Sequence, residues 1–99
     1  MMLEWSPLAL ERAGEIAGYI AMDKPSAAEL WIDGLFESVE RLERHPMSGR
    51  VVPEVSIERI REIIYGAYRV IYRVDNQAQK ISVLTVLRGS ELIRTDELE

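Results

Sequence analysis

The sequence predicts an α+β domain, with an N-terminal helical hairpin packed on a three- to four-stranded antiparallel β-sheet, in one domain covering residues 1–99. Two observations predict it. Apolar residues repeat with a period near 3.6 as far as Glu43 and with a period near 2 from Ile60 to Arg88, so helices precede strands instead of alternating with them. The length of 99 residues also holds a single core, because domains cluster at roughly 100–150 residues.

The first helix opens at Ser6-Pro7, a hydroxyl able to cap free N–H groups followed by a proline suited to the first turn. Ala9, Ala13, Ile16, Ala17 and Ile20 fall within about 100° of arc, a stripe of mostly small side chains that admits a neighbouring helix closely. Asp23-Lys24-Pro25 breaks the helix. A second helix is predicted from Pro25 to Glu43, with Ala28, Trp31, Ile32, Leu35, Phe36, Val39 and Leu42 in an arc of about 140° and Glu29, Asp33, Glu37 and Glu40 opposite. Trp5 and Trp31 read as core anchors. His45-Pro46 ends the helix, and Met47 to Glu58 read as a loop.

Strands are predicted at Ile60–Tyr65, Tyr68–Val74 and Lys80–Arg88, each rich in β-branched and aromatic residues, with Met2–Trp5 as a possible fourth. Gly66-Ala67 suits a tight hairpin with glycine at its first central position. The acidic tail Ser90–Glu99 reads as a short helix or a frayed end. Pairing Tyr65 with Tyr68 places Arg61, Ile63, Tyr65, Val70 and Tyr72 on one face. Ile60, Glu62, Ile64, Arg69, Ile71 and Arg73 then occupy the other. Two arginines on that second face imply that it is only partly covered, with Glu62 as their diagonal partner. The cluster reads either as a solvated ion-pair group or as a platform for an anionic partner.

Charge narrows the function classes. The net charge is −5, yet residues 1–49 carry four basic and nine acidic side chains while residues 50–88 carry seven and four. The chain is therefore no general polyanion binder, although its sheet region is basic. Without cysteine and with one histidine, thiol catalysis, disulfides, iron–sulfur clusters and multi-histidine metal sites are excluded. The longest apolar run is four residues, Tyr19 to Met22, and the start Met-Met-Leu-Glu-Trp-Ser-Pro lacks a basic n-region and an apolar h-region. These features predict a cytoplasmic domain without a membrane partner.

The series Ser6-Pro7-x-Ala9, His45-Pro46-x-x-Gly49-Arg50, Ile60-Arg61-Glu62 and Tyr68-Arg69-x-x-Tyr72-Arg73, in that order and spacing, resembles the ParE/RelE superfamily of bacterial toxins, also known as plasmid-stabilisation proteins, and the ParE branch most closely. The resemblance implies a cognate antitoxin of the ParD/RelB type that wraps the toxin and binds operator DNA through its own N-terminal part, leaving the toxin only indirect contact with DNA. Antitoxin contact is expected around Arg61, Glu62, Arg69 and Arg73. The ParE branch implies a toxin that stalls DNA gyrase as a binding protein without a cofactor, and Tyr19, Leu30 and Arg88 are candidate target contacts.

The RelE branch implies instead a ribosome-dependent mRNA endoribonuclease, in which Arg69 and Arg61 would stabilise the phosphorane. Its strand lysines correspond here to Ile60 and Glu62, and its C-terminal acid has no match. RNA cleavage needs a base, an acid and positive charge, and arginine supplies only the last. A degenerate member that keeps only antitoxin binding is a third expectation.

Overall fold

The structure is a computed structural model that describes residues 1–98; of the predicted tail, Glu99 lies outside the described residues. Its elements are β1 (Met2–Trp5), α1 (Pro7–Asp23), α2 (Pro25–Glu40) extended by a 3-10 turn (Arg41–Glu43), β2 (Arg50–Val51), β3 (Ile60–Tyr65), β4 (Tyr68–Asp75), β5 (Lys80–Arg88) and a C-terminal 3-10 turn (Thr95–Leu98). The helices therefore begin and break where the caps and prolines require. Ser6 accepts a hydrogen bond from Ala9 N at 3.0 Å and donates one to Leu84 O at 2.9 Å, so one hydroxyl both caps α1 and ties it to β5. Lys24 is extended ahead of Pro25, which separates the two helices.

The sheet has five strands in the order β1-β5-β4-β3-β2, against the three or four expected. It is mixed, not purely antiparallel, because β1 runs parallel to β5, with Leu3 opposite Ile81. Strand direction across so distant a pairing is set by the path of the intervening chain and leaves no mark on four residues of β1. β2 lies inside the segment read as loop; two residues are too few to show a period. The β3–β4 register is the predicted one, with Tyr65 opposite Tyr68 and Arg61 opposite Tyr72, and Gly66 at φ +58° makes the tight turn. A β-bulge at Leu84 lets Ile71 face Thr85 while Tyr72 faces Val83.

The two faces of the sheet are both covered. On one, Ala9 and Ala13 of α1 and Leu35, Val39 and Leu42 of α2 pack on Val70, Tyr72, Val74, Ile81 and Val83. Trp5 meets Phe36 edge-on at 4.8 Å and Trp31 meets Tyr68 at 5.4 Å, so both tryptophans anchor this layer. On the other face, Val52, Ile60, Ile71, Leu84 and Leu87 form a second cluster beneath Val55, Ile57, Ile93 and Leu98. The 52–57 segment and the C-terminal tail cover this face around Arg69, whereas Ile64, 60% exposed on the same face, stays open, so the cover is partial as expected but wider than the arginines alone imply.

Tyr72 holds the connection between the layers. It is fully buried, its hydroxyl donates to Pro46 O at 2.8 Å and accepts from Gly49 N at 3.0 Å, and burial raises its pKa above the ordinary tyrosine value. A Cβ at Gly49 would collide with the Glu62 carbonyl and the Tyr72 ring, which explains the glycine. Tyr72→Phe leaves a carbonyl and an N–H without partners, and should lower stability by about 1–3 kcal/mol in equilibrium denaturation. No change beyond experimental error would contradict this role.

Candidate functional site

The arginines of the sheet do not form one open surface. Arg69 is 4% exposed and Glu62 1% exposed, both on the face that the tail covers. Arg69 Nε donates to Glu62 Oε1 at 2.6 Å, while its Nη1 and Nη2 clasp Glu54 Oε2 and Oε1 at 2.7 and 2.8 Å. Nη1 donates also to Glu91 O at 2.7 Å. Four of the five guanidinium N–H bonds are thus used within the chain, two of them in a fork on one carboxylate. The second Glu62 oxygen accepts from Arg50 Nε at 2.6 Å.

The electrostatics follow from this geometry. The hydrogen bonds from Arg69 pull the Glu54 carboxyl from 4.5 down to about 2, against the opposing effect of partial burial. Glu54 and then Glu62 in turn hold Arg69 more firmly protonated than a free arginine. Glu54 Oε2 also accepts from Ile93 N at 3.2 Å, so the same carboxylate fixes the tail. Within this cluster the Arg69 guanidinium is almost fully engaged, whereas Arg50, bonded only through Nε, keeps the rest of its guanidinium at the surface.

The remaining predicted residues are dispersed. Arg61 projects on the helix side, where its Nε donates to Glu58 O at 3.0 Å and its Nη1 to Gly49 O at 2.9 Å. Arg73 is half-buried on the opposite face and donates to Leu98 O at 3.2 Å. Thus Glu62, Arg69 and Arg73 share a face and Arg61 does not. Tyr19 and Arg88 come together at a cleft of about 370 Å³ between α1 and the ends of β4 and β5, beside Ile16, Tyr68 and Val86. Leu30 stands apart on α2, 74% exposed. Among the described residues, no group of acidic, histidine or cysteine side chains could hold a metal, and no helix is long and apolar enough to cross a membrane.

Two structural partners were not assigned from the sequence. Glu54 is one, the second carboxylate that a buried arginine facing one glutamate requires. Arg12 on α1 reaches Thr85 Oγ1 at 3.1 Å and pairs with the buried Glu97 of the tail. Glu97 Oε1 takes no well-aligned hydrogen bond in that pair, so the contact is Coulombic, while Oε2 accepts from Arg94 N.

The chain is a small α+β domain, a helical hairpin on one face of a five-stranded mixed sheet whose central arginine is paired within the fold. The model of the ParE toxin of type II toxin–antitoxin systems, parDE, matches residues 3–93, and the chain belongs to this family. The protein Y4kP of Sinorhizobium fredii (strain NBRC 101917 / NGR234), whose name describes it as a toxin, is 30% identical over 91 residues, covering 90% of this chain and 88% of its own. A chain of the chromosomal ParDE system from P. aeruginosa shares the fold with a TM-score of 0.72 at 21% identity, over 89% of this chain and 95% of that one. A chain of the RelBE2 toxin–antitoxin complex from Mycobacterium tuberculosis does so with a TM-score of 0.64 at 17% identity, over 88% and 95%.

Two outcomes test the network. Glu54 binds its proton more weakly in the folded chain than in the unfolded one, so its contribution to stability is present above pH 4.5 and disappears as pH falls towards about 2. Unfolding measured across that window should show the decline, and Glu54→Gln should flatten it; parallel curves for the two proteins would refute the pairing. Arg69→Ala leaves Glu62 buried beside an empty volume and should cost about 3–5 kcal/mol.

Proposed function

We propose that this toxin acts by binding and inhibiting DNA gyrase and that a cognate antitoxin of the ParD/RelB type holds it silent. The observation that carries the reading is the state of Arg69. A family member whose strand arginine is enclosed by Glu54, Glu62 and the Glu91 carbonyl does not offer that side chain to a phosphorane, which favours action by protein contact. Tyr19, Leu30 and Arg88 are the target contacts in this proposal, all three exposed. The antitoxin's acidic side chains would meet Arg73 on the face that Arg69 and Glu62 shape from beneath, and Arg61 on the opposite face. In this reading the protein works in the cytoplasm and contacts operator DNA only through the antitoxin.

The fold likeness to the RelBE2 chain gives the second reading, a ribosome-dependent endoribonuclease. Because Arg69 also holds the fold together, loss of activity in Arg69→Ala would not separate the two, and the unmutated protein must be compared in both assays. Freed of antitoxin, it should block gyrase supercoiling at stoichiometric amounts and produce no new mRNA 5′ ends in a translation extract. The reverse pattern would establish the nuclease, and unimpaired growth on induction without antitoxin would leave only antitoxin binding.

A further inference from the structure

We infer that the turn end of the helical hairpin docks a basic, apolar surface of the target, an inference that rests on the gyrase reading. The turn half of the hairpin is less committed to the core than the far half, although Trp31 and Ile32 pack against it. Between Gly14 and Gly34 a single residue, Ala28, is fully buried, whereas Tyr19, Met22 and Leu30 are 69, 85 and 74% exposed on either side of the Asp23–Pro25 turn. Exposed large apolar side chains on the turn half of the hairpin are candidate contacts for a partner. Beside them a groove of about 590 Å³ runs between α1 and α2, floored by Ala17, Gly18, Ala21, Ala28 and Ile32. Gly18 weakens the middle of α1, and a Cβ there would meet nothing within 4 Å, so no contact within the chain calls for it. An open glycine among alanines lets a partner's backbone approach closely.

Charge names the partner. From Glu15 to Asp33 the hairpin carries Glu15, Asp23, Glu29 and Asp33 against Lys24 alone, a net −3. Among the described residues no acid of α1 or α2 sits in an ion pair, although acids of the sheet, loop and tail do. Glu29 and Asp33, which flank the groove, are four residues apart, as are Asp33 and Glu37, and like charges at that spacing destabilise a helix. This uncompensated negative rim around an apolar floor is complementary to aliphatic side chains flanked by lysine and arginine, the composition of a protein surface that grips DNA.

Binding of the purified chain to separate gyrase subunits at low and high salt tests this. Glu29→Lys with Asp33→Lys should weaken binding about tenfold at low salt and flatten its salt dependence. Leu30→Ala should weaken it about tenfold at every salt concentration. Arg44→Glu, beyond the other end of α2, should change nothing, and the melting temperatures of these surface variants should match the unmutated chain. Failure of the unmutated protein to bind either subunit would overturn the target reading and this inference with it. Gyrase binding that the lysine variant leaves unchanged would overturn the inference alone. So would a loss confined to antitoxin binding, which would assign the hairpin end to the antitoxin.

Discussion

A guanidinium buried on the middle strand of the sheet is the constraint around which one side of this molecule is built. An unpaired arginine at that depth would be prohibitively costly, and Glu62 on the adjacent strand meets only its Nε edge. The other edge needs a second carboxylate, and Glu54 reaches it only when the segment after β2 lies over the sheet. That position brings Val52, Val55 and Ile57 onto Ile60, Ile71 and Leu87. The tail is then held by the same two charged groups, through Glu91 O on Arg69 and Ile93 N on Glu54. Polar satisfaction and apolar burial are therefore one event on this face, and neither segment can leave without exposing both.

The opposite face is tied to the same connection by a different chemistry. Tyr72, three residues after Arg69, sends its hydroxyl to Pro46 and Gly49, while Arg61 caps the carbonyls of Gly49 and Glu58. Adjacent polar positions of β3 and β4 thus grip residues 46–58 from both sides of the sheet. The period-2 alternation of a strand makes this possible, since Arg69 and Tyr72 point to opposite faces once the register is set.

How much of this was legible follows from where the information sits. Ser6-Pro7, Lys24-Pro25 and Gly66 carry local instructions, and the helices and the β3–β4 hairpin form where those residues place them. The pairing of Glu62 with Arg69 was also readable, because it needs only the hairpin register. What lay beyond reach depends on chain paths over long separations. The parallel entry of β1 beside β5, the two-residue β2, the reach of Glu54 across 15 positions and the return of the tail to Arg12 have no period or cap to announce them. The arginine face is closed more tightly around Arg69 than the sequence reading implies, because that reading counts only the partners that local geometry supplies.

The same finding changes what the uneven charge distribution means. An excess of basic residues from Arg50 to Arg88 suggests an anion surface so long as each charge is counted as free. Arg50 and Arg69 are matched inside the fold by Glu62 and Glu54, and Arg61 and Arg73 donate to backbone carbonyls, so much of that excess is already engaged. The hairpin is the opposite case: among the described residues, none of its acids sits in an ion pair. Uncompensated charge is what acts at a distance on a partner, whereas compensated charge mainly fixes local structure. In the proposed reading the surface that reaches the target is the negative one, on rigid helices anchored by Leu35, Val39 and Leu42, and it would serve a docking toxin better than a nuclease that must approach RNA.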